Sequence, residues 1–138
     1  MSIIEEQQKI ISEFQTVNDW SERYKKIIAM GEKLPPMDEN LKNDENKVRG
    51  CQSNVWLHAK LENGLIYFTA DSDAAIVKGL IAILMRIFSG RTPSQIIGAP
   101  VEFISMLGLN THLSQTRANG LIAMIKQIQY YAIALNRT

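Results

Sequence analysis

The hydrophobic pattern changes period twice along the chain. From Ser2 to Phe14, the residues Ile3, Ile4, Ile10, Ile11 and Phe14 fall on one broad face and predict an amphipathic helix. Ser2 is placed to cap it, with Glu5 and Glu6 in the first turn, where carboxylates suit the helix dipole. Trp20, Tyr24, Ile27 and Ile28 predict a second helix, capped by Asn18 or Asp19 and stopped by Gly31 as a C′ glycine. Leu34-Pro35-Pro36 breaks the pattern. The polar run from Asp38 to Lys47 has little to bury and reads as an exposed loop inside one domain.

At Asn54 the period becomes two. Val55, Leu57, Ala59 and Leu61 alternate with Asn54, Trp56, His58 and Lys60, the pattern of a half-buried strand. Glu62-Asn63-Gly64 is a hairpin turn, and Leu65 to Ala70 returns as a second strand. A shorter strand around Lys47-Val48 would make three. Two strands alone are marginal, so the sheet must lean on helices.

Helical spacing then resumes. Asp71-Ser72-Asp73 offers two capping candidates for a helix from Ala74 to Ser89 that is apolar almost all round, hence central and buried. Gly79 inside it predicts close packing on a neighbour, because a mid-helix glycine costs about 1 kcal/mol against alanine. Gly90 ends this helix. Thr92-Pro93 starts a short one stopped by Gly98, and Val101 to Leu107 predicts another ended by Gly108. The last helix runs from near Ser114 to about Asn136. Its predicted buried face is Leu121, Ile122, Met124, Ile125, Ile128, Tyr131, Ala132 and Leu135. Arg117 lies in its first turn, where a cation opposes the helix dipole, and a local rule broken is a place to look for function.

Composition narrows the class. A chain of 138 residues, 46% hydrophobic and 21% charged, fits one globular domain over residues 1–138. Net charge is +1, and the charge is unevenly spread: residues 1–50 carry eight Lys/Arg against ten Asp/Glu, residues 91–138 four against one. That basic end is too sparse for a nucleic-acid surface. The longest apolar run, Leu80 to Met85, falls far short of the roughly 20 residues of a membrane span. The acidic N-terminus lacks the marks of a signal peptide, and a single cysteine gives no internal disulfide, so a cytoplasmic protein is expected.

The candidate chemistry is sparse. No P-loop, GxGxxG or GxSxG is present, and one Cys with two separated His does not make a zinc site. A stand-alone Cys–His enzyme would need His58 or His112 beside Cys51; each also reads as a half-exposed structural histidine. Cys51 itself reads as a small buried hydrophobe or as a reactive thiol. Its neighbours favour the second: Gly50 lets the backbone bend, Gln52, Ser53 and Asn54 supply donors, and Arg49 adds charge that favours thiolate. An interaction module with an inert cysteine is the third alternative.

Val48-Arg49-Gly50-Cys51-Gln52-Ser53-Asn54-Val55-Trp56 resembles the signature of the SufE/CsdE sulfur-acceptor proteins. Three further blocks fit: Asp71-Ser72-Asp73-Ala74-Ala75-Ile76-Val77-Lys78-Gly79-Leu80; Leu107-Gly108-Leu109 with His112-Leu113-Ser114; and Arg117-Ala118-Asn119-Gly120-Leu121 with Met124. The resemblance implies an α+β fold, a small antiparallel sheet packed against helices, akin to IscU-type scaffolds. It implies that Cys51 takes persulfide sulfur from a cysteine desulfurase, stimulates that enzyme, and passes the sulfur to an iron–sulfur cluster scaffold or other acceptor. Pyridoxal phosphate belongs to the desulfurase, so this chain is expected to need no cofactor or metal. Arg117 and Asp73 are expected as supporting residues, with Gly50, Gln52 and Ser53 around the thiol. No nucleic-acid or membrane partner is expected, and a homodimer is left open. A carried persulfide is easily lost to reductants, so the loop is expected to shelter its sulfur and swing out to a partner.

Overall fold

A computed structural model describes residues 2–136. Helix α1, Ile3–Gln15, is capped by Ser2 in a capping box: the Ser2 hydroxyl accepts from the Glu5 N–H, and the Glu5 carboxylate accepts from the Ser2 N–H, both at 3.1 Å. Helix α2, Trp20–Glu32, is capped by Asp19. Gly31 does not stop it. That glycine is buried in the last turn, and a Cβ on it would lie 2.5 Å from the Gly79 nitrogen. The sequence signal for a helix stop is here a packing signal, a helix crossing close enough to need bare backbone on both sides. Gly79 meets the expectation made for it.

The polar segment carries a 3-10 turn, Glu39–Leu41, and leads to β1, Val55–Glu62, and β2, Leu65–Ser72. These pair antiparallel from Val55 opposite Ser72 to Glu62 opposite Leu65, around a turn with positive φ at Asn63 and Gly64. The expected third strand is one bridge, Lys47 to Trp56. Chain before it is polar, and Gly50 turns the chain away just after it, at φ +91°. The observed sheet is therefore two-stranded.

Groups outside the sheet satisfy part of its outer backbone. Along β1, Val55 O accepts from Val48 N and Leu57 N donates to Asn46 O, each at 2.8 Å, and Leu57 O accepts from the Tyr131 hydroxyl at 3.3 Å. Along β2, Ile66 N donates to Arg91 O, Ile66 O accepts from Gly90 N, and Phe68 N donates to Ser89 Oγ. The buried alternation fades toward the hairpin tip, where Leu61 is exposed.

Helix α3, Ala75–Phe88, is the buried centre, with ten buried residues. Neither aspartate caps it. Its N-cap, Ala74, has no side-chain cap, while Ser72 Oγ accepts from Ala74 N. Asp71 instead holds Lys42 at 2.9 Å and Lys78 at 3.7 Å. Short helices α4, Pro93–Ile97, α5, Phe103–Met106, and α6, Leu109–His112, lead to α7, Gln115–Leu135, capped by Ser114. Ile122 is 44% exposed, off the buried face expected for it.

Arg86 ties α3 to α1. Its Nη1 and Nη2 donate to the two Glu13 carboxylate oxygens at 3.0 and 2.9 Å, and its Nε donates to Glu6 at 3.1 Å. The Arg86 hydrogen bonds hold the Glu13 carboxyl below its ordinary range. Arg86→Gln is expected to remove about 2 kcal/mol at neutral pH. A lowered carboxyl pKa gives stability that is present above the ordinary value of 4.5 and lost as pH falls through the folded value. Urea titrations should therefore show the variant losing less on acidification than the wild type.

Candidate functional site

The thiol is placed by three segments. Gly50 turns the chain into Cys51, and a Cβ on Gly50 would meet Ala123 of α7 at 3.4 Å. Asn54 closes the segment: its N–H and side-chain amide donate to the Asp73 carboxylate at 3.2 and 2.9 Å, and its carbonyl accepts from Asp73 N. The third segment is the start of α7, where the Gly120 carbonyl accepts from the Cys51 thiol at 3.5 Å. Cys51 Sγ lies 3.5 Å from where a Cβ on Gly120 would be, so the helix approaches the sulfur with nothing between.

Cys51 is half-buried. It opens on a cleft of about 90 Å³ whose apolar walls are Val55, Val77, Leu80, Leu121 and Met124. Gln52, Ser53, Thr116 and Arg117 make the polar part. Burial pushes the thiol pKa above its ordinary value, because the apolar walls solvate a thiolate poorly. This corrects the thiolate role expected of Arg49. That arginine is exposed and lines a second groove that Cys51 shares with Asp44 and Lys47, yet what moves the thiol is burial. At neutral pH the resting group is the protonated thiol, donating to Gly120.

Of the expected site residues, Cys51, Gln52, Ser53 and Arg117 line one cleft, and Gly50 shapes the turn into it. Asp73 lies outside the lining and is hydrogen-bonded to Asn54. Neither histidine is in the cleft. His58 is opposite Thr69 on β1, and His112 stacks on Trp20 with ring centres 4.1 Å apart. A Cys–His pair therefore has no geometry to support it. Sequence reasoning missed the Gly120 carbonyl and Tyr24, whose hydroxyl accepts from Arg117 Nη1. Tyr24 carried only a core signal, one position in an apolar stripe. Among the described residues no three His, Cys, Asp or Glu side chains converge as metal ligands would, and no helix is long and apolar enough to cross a membrane.

A family model described as "SufE: Fe-S metabolism associated domain" matches residues 8–132. An uncharacterised SufE-like protein of Rhizobium meliloti is 44% identical over 126 residues, spanning 88% of this chain and 90% of the relative. One from Synechocystis is 42% identical, over 91% of this chain and 79% of the relative. A hypothetical protein of Thermus thermophilus, solved in solution, shares the fold with a TM-score of 0.77 at 21% identity, over 94% of each chain.

Proposed function

The chain belongs to the SufE family, associated with Fe–S metabolism, and on that premise we propose that it is a sulfur carrier that accepts persulfide sulfur from a cysteine desulfurase on Cys51, stimulates the desulfurase, and hands the sulfur on to cluster assembly. The observation that carries the reading is the placement of the one thiol at a small, apolar-walled cleft under an exposed arginine. The kinship with IscU-type scaffolds belongs to the same proposal.

The transfer step is thiol exchange. The Cys51 thiolate attacks the outer sulfur of the donor persulfide. The bond between that sulfur and the donor cysteine breaks, the donor leaves as a thiolate, and a new S–S bond forms on Cys51. Nothing is oxidised or reduced overall, and the proton lost by Cys51 goes to the departing thiolate or to water. The pyridoxal phosphate that releases sulfur from free cysteine is the desulfurase's. A raised thiol pKa slows this attack in the free chain, so the docked partner must draw the loop out or stabilise the thiolate. Between partners the apolar cleft shelters the carried sulfur from soluble reductants.

Intact mass tests the reading. The chain is mixed with an active desulfurase and free cysteine, without reductant. Addition of one sulfur atom is expected, absent in Cys51→Ser and removed by dithiothreitol. No addition beside a demonstrably active desulfurase would sink the reading.

A further inference from the structure

Tyr24 and Arg117 are 93 positions apart and meet at the entrance of the Cys51 cleft. Arg117 is exposed, lines the cleft, and forms no ion pair among the described residues. Its side chain makes one hydrogen bond there, from Nη1 to the Tyr24 hydroxyl. Of its five N–H donors, most remain open to an incoming group. A long exposed arginine on the first turn of a helix has no reason of its own to stay in one place. Tyr24 has one: it sits on α2 with its ring packed against the core. The adjoining Trp20 carries His112 stacked at 4.1 Å and the Arg23 guanidinium 5.5 Å from its ring centre.

We propose that Tyr24 is a positioning residue: its hydroxyl fixes the Arg117 guanidinium at the cleft entrance, so that anionic sulfur donors reach Cys51 in preference to neutral ones. The inference rests on the sulfur-carrier reading only in naming that donor group, a persulfide anion. An uncompensated cation beside a half-buried sulfur raises the local concentration of anions and holds them once they arrive. The tyrosine converts a mobile charge into a fixed one.

Alkylation tests this without any partner protein. Cys51 is treated with anionic iodoacetate and neutral iodoacetamide, and the ratio of the two rates is divided by the same ratio in denaturant. The quotient cancels sulfur exposure and thiolate fraction, which a merely structural role would change for both reagents alike. In the wild type it is expected to be about threefold or more, the scale of one partly exposed charge pair, and to fall toward unity as salt is added. Tyr24→Phe, which keeps the ring and removes one oxygen, should bring it at least halfway to unity. Arg117→Gln should lower it at least as far, leaving only what Lys47 and Arg49 of the neighbouring groove contribute, and Tyr24→Phe on that background should change nothing further. A wild-type quotient of one, a quotient indifferent to salt, or a Tyr24→Phe effect that persists without Arg117 would overturn the proposal. If the quotients behave as expected while an active desulfurase loads no sulfur on Cys51, the carrier reading falls and the positioning role stands. If sulfur loads normally and the quotient ignores Tyr24→Phe, the positioning role alone falls.

Discussion

Gly79→Ala is expected to cost at least about 3 kcal/mol, the upper end for an overpacked core. That is a large part of the roughly 5–15 kcal/mol that holds a domain of this size. Two effects compete. Alanine is the better helix former by about 1 kcal/mol. Against that, a Cβ at this position would lie 2.1 Å from the Ile27 carbonyl oxygen and 2.6 Å from its carbon. Those atoms are α2 backbone, so no rotamer change relieves the contact, and the whole helix has to move. Separation of α2 from α3 also loosens the partner glycine, Gly31, and the buried side chain of Ile27. Gly98→Ala is the control. At φ −88° its Cβ would stand 3.4 Å from the Ser94 carbonyl oxygen, and stability should stay unchanged or rise by up to about 1 kcal/mol. Denaturant midpoints for the two variants decide the matter. A Gly79→Ala chain as stable as the wild type would mean that the two helices are not held at this crossing.

Cys51 in the free folded chain should react with iodoacetamide at least about tenfold more slowly at neutral pH than in denaturant, since thiolate fraction and access are both reduced. The rate should keep rising with pH after that of the unfolded chain has levelled off. The same shift has a signature in stability. A thiol whose pKa is raised by folding contributes stability that is fully present below the unfolded value, near 9.0, and is lost as pH rises through the folded value. Wild-type stability should therefore decline on the alkaline side of pH 9 by more than that of Cys51→Ser. Adding the desulfurase should speed alkylation until the partner itself covers the thiol. Equal rates in folded and unfolded chain would mean that the sulfur is not sheltered at all.

The local signals in the sequence were strong where one residue type has one use. Ser2 with Glu5 in the first turn, Thr92-Pro93 at a helix start, and the Asn63-Gly64 turn appear where capping and turn chemistry put them. They failed where one residue type has two uses. Gly31 after an apolar stripe looks like a helix stop and serves as a contact surface. Aspartates before a helix look like caps, yet Asp71 binds lysines and Asp73 binds the segment leaving the thiol. The cysteine stood out through its polar neighbours, and Arg117 through its conflict with the helix dipole. What fixes them in space did not, because a backbone carbonyl at Gly120 and a hydroxyl on α2 leave no mark in the local pattern. Arg49 shows the converse error. Adjacency in sequence suggested that charge would favour the thiolate, while the apolar walls on the other side of the sulfur push the thiol the opposite way.

The small sheet has a consequence for a chain whose work is to meet other proteins. An exposed strand edge is a template on which a foreign strand can add itself, and so a route to aggregation. Here the stretch of β1 nearest the thiol, Val55 to Leu57, is occupied by Asn46, Val48 and the Tyr131 hydroxyl, and the hairpin-end stretch of β2, Ile66 to Phe68, by Ser89, Gly90 and Arg91. Each is loop backbone or a side chain, so the ladder stops without a third strand and passes no free row of backbone donors to the surface there. Over those stretches the hairpin carries a reactive loop into repeated encounters without itself becoming adhesive.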